Sequence, residues 1–206
     1  MLKKLLLGAL AGALFASTAF AQVNVVPQVG LNTANLRQNT YSAVSIGLIP
    51  AASATDIVCL QGSATKTIHL PRVTISGSAG TAITTPFVVL LRHSLDTGGT
   101  PASGVALPVA APNDQNNPAA TATLNAWTAN PTINDASPNY YASLAVTLPV
   151  TASAGTTPTI IHFGAYTEPY NQDITIRGVT QAACINLQAA SVSSGVLSIS
   201  LTWWEQ

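Results

Sequence analysis

Charge is what this chain has least of. Asp, Glu, Lys and Arg make up 7% of its 206 residues, and the formal net charge is zero. No basic patch exists to neutralise a row of phosphates, so nucleic acid is not an expected partner. Cysteine occurs twice, and no His or Cys cluster accompanies either copy, which removes a zinc signature. There is no HExxH and no Gly-x-Ser-x-Gly elbow. Beyond the first two dozen residues no helical period stands out, and no apolar run is long enough to cross a bilayer comfortably.

The first residues, "MLKKLLLGALAGALFASTAFAQ", read as a secretory signal peptide. Lys3 and Lys4 precede an apolar run from Leu5 to about Phe15, and Ala19-Phe20-Ala21 supplies small residues at a cleavage site. Cleavage after Ala21 removes both lysines. The basic residues left are Arg37, Lys66, Arg72, Arg92 and Arg177, against the seven acids of the chain. The expected location is therefore outside the cytoplasm: periplasm, extracellular space or cell surface, with a virion as the alternative. No membrane insertion is expected after cleavage.

Two cysteines, Cys59 and Cys184, in an exported chain point to one disulfide. Two buried thiols on neighbouring strands are the alternative. A bridge closing 125 residues stabilises by about 4–5 kcal/mol in the loop-entropy model.

Short apolar runs with period two, bounded by Gly, Pro, Asn, Asp and Ser, recur along the rest. They predict strands at Val23–Leu31 (or an extended arm), Ala43–Ile49, Asp56–Gln61, Thr67–Ser76, Phe87–Arg92, Ala120–Thr128, Ser143–Val150, Thr159–Phe163, Ile174–Arg177, Cys184–Gln188 and Val196–Trp204. Ala120–Thr128 also suits a short helix. Asp56–Gln61 and Thr67–Ser76 read as a hairpin. Phe87–Arg92 reads as a strand buried on both faces. In the last strand Leu197, Ile199, Leu201 and Trp203 share one face, and Trp204 points to the other. The expected fold is all-β: a single, jelly-roll-like β-sandwich of about ten short strands. Residues 1–21 are the signal, 22–54 an arm or first strands, and 55–206 the sandwich. Thr97–Ala120 is a long loop rich in Pro and Asn.

The candidate chemistry is thin. Gly62-Ser63-Ala64-Thr65-Lys66-Thr67 carries a Lys-Thr pair after a glycine, but Leu60 and Thr65 stand where a phosphate loop needs glycine, and a strand pattern follows. It reads as a turn. Asp96-Thr97-Gly98 matches the triplet of aspartic proteases, which need two such triplets or a homodimer supplying both; only one is present, and the residues after it read as a turn. His69, His93 and His162 lie in or beside predicted strands, with His69 expected to face solvent. Asp114 in "NDQNN" lacks the acidic company of a calcium site and reads as a solvated turn. Along the second half of Thr67–Ser76 the apolar phase slips at Pro71, which predicts a bulge or an edge position. Neither a catalytic residue nor a cofactor is expected. Trp204, Tyr140 and Tyr141 are the candidate interface or binding residues, as assembly anchors first and sugar platforms second.

Four stretches, "GSATKTIHLPRVTISG", "VVLLRHSLDTGGTP", "PNDQNNPAATATLNAWTANPT" and "ITIRGVTQAACINLQAASVSSGVLSISLTWWEQ", together resemble a family of uncharacterised proteins encoded among tailed-phage virion genes. They cover most of Asp56–Gln206 in order. The resemblance implies a β-rich structural or decoration protein and no catalytic residue. The expected function is thus a non-enzymatic structural or surface-assembly module. Its expected partner is its own copies or a larger protein assembly. A secreted carbohydrate-binding or adhesin module that takes a glycan is the alternative.

Overall fold

The computed structural model describes residues 39–49, 54–101, 111–112, 115–150, 157–164, 173–188 and 195–206. The signal segment, the strand or arm at Val23–Leu31, Asp114, Tyr166, Glu168 and Tyr170 lie outside them. All described elements belong to one compact unit, Gln38–Gln206.

That unit is all-β, with two six-stranded antiparallel sheets and no helix among the described residues. The first sheet holds β1 (Asn39–Leu48), β3 (Thr67–Ser78), β6 (Ala111–Pro112), β9 (Thr159–His162), β10 (Ile174–Arg177) and β12 (Val196–Glu205). The second holds β2 (Thr55–Gln61), β4 (Ile83–Arg92), β5 (Thr100–Pro101), β7 (Thr123–Ala129), β8 (Asn139–Leu148) and β11 (Ala182–Leu187). Their orders are β10-β3-β12-β1-β6, with β9 also on β3, and β5-β7-β2-β11-β4-β8. The pairs β1–β12, β2–β11 and β3–β10 are nested like a long hairpin rolled on itself, which is the jelly-roll arrangement.

The alternation in each strand decides which side faces the core. In β12, Leu197, Ile199, Leu201 and Trp203 are buried while Ser198, Ser200, Thr202 and Trp204 look outward. From the opposite sheet Phe87, Val89, Leu91, Ala183, Ile185 and Leu187 meet them in one continuous core. Phe87–Arg92 is buried at every position, as a strand covered on both faces must be. Ala120–Thr128 resolves as the strand β7.

The strand expected at Ala43–Ile49 is part of the sandwich, as β1 between β12 and β6 in the first sheet. One connection differs from expectation. β2 and β3 are not a hairpin. They lie in different sheets, and Gly62–Lys66 carries the chain across the sandwich. Each strand already has partners on both edges: β7 and β11 flank β2, whereas β12 and the pair β9 and β10 flank β3. The apolar residues of both strands can then face one core from opposite layers. The connection β10→β11 crosses beside it. A Cβ on Gly62 would stand 2.3 Å from the Gly178 carbonyl oxygen, so only glycine lets the two crossings touch.

The slip at Pro71 is a bulge. Thr202 pairs with Arg72 and Trp204 with His69, so β3 has one residue more than β12 there. At the same point β3 exchanges its neighbour β10, on residues 67–70, for β9, on residues 72–75. The Pro71 carbonyl accepts the Phe163 N–H at 2.7 Å.

Candidate functional site

The outer face of the second sheet holds a buried polar network. Asp56 lies on β2, opposite Asn186 of β11, with its carboxylate fully buried. Arg92, at the end of β4, donates from Nε to Oδ2 at 2.8 Å and from Nη2 to Oδ1 at 3.0 Å. Asn186 Nδ2 also donates to Oδ1. The third nitrogen of Arg92, Nη1, donates to the Asp135 carbonyl at 3.0 Å. Asp135 in turn receives the His93 backbone N–H at 2.6 Å and that of Ser137 at 2.9 Å, with the His93 ring at 3.1 Å. Burial alone would raise the Asp135 carboxyl; these backbone donors and His93 outweigh it and hold it below the usual range.

Asp96 closes the network from the loop after β4. Its carboxyl oxygens are buried, and no N–H or O–H donor among the described residues reaches them. Oxygens of Asp96 and Asp56 lie within 4.8 Å of each other. Burial first, then the Asp56 carboxylate, push Asp96 up to about 7, against the pull of Arg92. Asp96 therefore takes up a proton far more readily than an ordinary carboxylate, beside the Asp56 carboxylate.

Cys59 and Cys184 are disulfide-bonded in this same face, on directly paired positions of β2 and β11 with Cα atoms 4.0 Å apart. With Val88, Leu90, Trp127 and Ala182 they form a second, smaller apolar cluster against Leu95. A cavity of about 260 Å³ opens between the disulfide, Gln61, Asn125, Trp127 and Asp96. Asp56, Cys59, Asp96 and Cys184 form the one group of His, Cys, Asp or Glu ligand atoms that converge among the described residues. Two of its four members are disulfide sulfurs, and both Asp56 oxygens are engaged, so the set offers a cation little more than Asp96. The Asp-Thr-Gly triplet does meet a second carboxylate, but Arg92 and Asn186 hold that partner, leaving it no free oxygen to activate water.

Tyr140 and Tyr141 lie on β8. Tyr140 is 69% exposed. Tyr141 packs edge-on against Phe163, with centroids 6.3 Å apart and planes at 84°. Tyr141 also lines a polar cleft of about 330 Å³ with His93, Asn139, Asp173, Arg177 and Gln181.

Trp204 is on the outer face of the first sheet, as expected, but His69 lies flat upon it. The ring centroids are 3.7 Å apart and the planes differ by 2°. His69 thus leaves solvent for the indole, and its Nδ1 sits 3.2 Å from Asp173. The three histidines do not converge: His69 pairs with Asp173, His93 with Asp135, and His162 pairs along the backbone with Arg72. Lys66 is half-buried at the crossing and a strand, not a helix, follows it, so the stretch does not open into a helix N-terminus.

Comparison with protein-family models, curated proteins and solved structures found no match.

Sequence reasoning missed the Asp56–Arg92–Asn186 network. Its signal was present: Asp56 opens "DIVCL" and Arg92 closes "FVVLLR", each a lone charge on an otherwise apolar strand. A charge in such a position is paired or neutral.

Proposed function

We propose that the chain is a non-enzymatic structural module for surface assembly, of the kind that decorates a virion or another exported shell. The outer face of the first sheet carries this reading. Rows such as Val44–Ser200–Thr74–Ile160 run across it. Ser, Thr, Val and Ile dominate, with Ile46, Ile160 and Val44 exposed at 66%, 52% and 39%. Across β1, β12 and the half of β3 beside β9 the one formal charge on this face is Arg72, bonded to Thr202, while Asp173 and Arg177 lie at its β10 edge. A broad sheet centre that is nearly uncharged and studded with aliphatic side chains suits burial against a neighbour better than permanent hydration. The disulfide is compatible with an oxidising, exported location. The jelly roll serves both capsid and lectin domains and does not decide between them. The test is the mass of the purified chain at micromolar concentration. Self-association is expected, and a strict monomer counts against the reading.

The polar cleft beside Tyr141 favours a second reading, a secreted carbohydrate-binding or adhesin module. An aromatic ring next to amide, carboxylate and guanidinium groups is the chemistry that holds a sugar. Trp204 is the weaker platform, because His69 covers one of its faces. On a glycan array, Tyr141→Ala should abolish any hit while Trp204→Ala leaves it. No hit, or a hit indifferent to Tyr141→Ala, removes this reading.

A further inference from the structure

The edges of the two sheets are not equally guarded. A sheet edge offers unpaired N–H and C=O groups to any other strand, and proteins blunt it with short strands, proline, charge or bulges. Three edges here follow that rule. β5 and β6 have two residues each, ending in Pro101 and Pro112. The third edge is split between β9 and β10, four residues each. The fourth is β8, ten residues long and paired on one side with β4. No Asp, Glu, Lys or Arg occurs between Asp135 and Glu168, so β8 carries no charge at all. Its bulge lies at Tyr141, and Ala142–Leu148 is regular.

The register shows which groups point outward. Pro86 of β4 is paired with Ala145. The Pro86 carbonyl accepts the Gln188 N–H at 3.0 Å, on the β11 side of β4. Pro86 thus turns its polar groups away from β8, and Pro86–Ala145 is a non-hydrogen-bonded pair. The neighbouring pair of the same phase, Thr84–Thr147, agrees, since its hydroxyls meet at 3.2 Å. It follows that Ser143, Ala145 and Thr147 direct their N–H and C=O groups to the edge that no strand among the described residues pairs with.

We propose that β8 pairs antiparallel with β8 of a second copy about a two-fold axis through Ala145. This deepens the assembly reading and rests on it. A two-fold at Ala145 sets Ser143 against Thr147, Ala145 against itself and Thr147 against Ser143, and each pair exchanges both backbone hydrogen bonds. It keeps side-chain phase as well. Leu144 meets Val146 and Ala142 meets Leu148 on the core side, while hydroxyls meet hydroxyls on the outer side. A second copy is the occupant because the edge is complementary to itself: a strand without charge meets no like charge across a two-fold.

Light scattering on the full chain purified after export, combined with amide hydrogen exchange, tests the pairing. A dimer is expected at micromolar concentration, with the Ser143, Ala145 and Thr147 amides protected in it and exchanging freely on dilution. The double variant S143K/T147K should be monomeric, as should S143E/T147E, and an equimolar mixture of the two should regain the dimer mass. If the wild type associates while those three amides stay unprotected, or if both variants keep its mass, the β8 interface is wrong and the assembly reading survives. A monomeric wild type overturns both. The exchange measurement on the wild type decides the matter even where a variant fails to fold.

Discussion

Arg92 holds Asp56 in a two-pronged grip, Nε to Oδ2 at 2.8 Å and Nη2 to Oδ1 at 3.0 Å, with both residues buried on the covered outer face of the second sheet. Such a pair adds little net stability, since desolvating two charges offsets their attraction. Breaking it is another matter. Arg92→Met should cost about 3–5 kcal/mol in urea unfolding, because it strands a buried carboxylate. Adding Asp56→Asn to that variant should recover part of the loss. A single-variant loss below about 1 kcal/mol would mean that water reaches Asp56 after all.

Asp96 makes the same network sensitive to pH. Its carboxyl is held near 7 in the folded chain, above its ordinary value of 3.8. The folded state therefore binds this proton more tightly than the unfolded state does. The stabilisation is full below about pH 4, is lost as pH rises towards 7, and changes no further above that. Asp96→Asn keeps the shape and a donor towards Asp56 without the titration. Its melting temperature should exceed that of the wild type at pH 8 and lack the wild-type decline attributable to Asp96 between pH 4 and 7. Parallel melting curves for the two proteins would rule out a raised Asp96 carboxyl.

The disulfide joins β2 to β11 across 125 residues of chain and lies in the smaller apolar cluster, with Cys59 2% and Cys184 1% exposed. Loop closure of that span predicts a loss of about 4–5 kcal/mol for Cys59→Ala/Cys184→Ala. Burial predicts in addition that a bulky thiol reagent will label the reduced wild type slowly while it stays folded and quickly in denaturant. Equal labelling rates in the two conditions would place the sulfurs at the surface.

Much of the sandwich was legible because period-two patterning and turn residues report local structure directly. Ile174–Arg177 and Val196–Trp204 fall on β10 and β12 almost residue for residue. The slip at Pro71 was visible because a bulge shifts the phase of every side chain beyond it. What local pattern cannot carry is which strand meets which. A crossing and a hairpin turn of five residues have the same polar, glycine-containing composition, so β2 and β3 were joined where they are in fact layered. The network around Asp56 was hidden for the same reason. Asp56, Arg92 and Asn186 are far apart in sequence, and only the order β2-β11-β4 brings them together, with Asp96 following four residues after Arg92. Trp204 was placed on its correct face, but its stacking partner depended on the pairing of β12 with β3.

The crossing at Gly62 offers a way to separate crowding from backbone preference. Gly62 and Gly178 touch where the chain passes between the sheets twice. At Gly62 an added Cβ would meet the Gly178 carbonyl oxygen at 2.3 Å and Ile176 Cγ2 at 2.9 Å. At Gly178 an added Cβ meets nothing within 4 Å, but φ is +71°. Gly178→Ala should thus cost about 1 kcal/mol, the penalty of a left-handed backbone for alanine. Gly62→Ala forces two backbone segments apart and should cost about 3 kcal/mol, as overpacking in a closed core does. It should also loosen β10, read as faster exchange of the Ile174 and Ile176 amides. The order of the two losses is what matters. If Gly178→Ala proves the more damaging, the two crossings do not meet at Gly62, and conformational strain rather than contact fixes the glycine there.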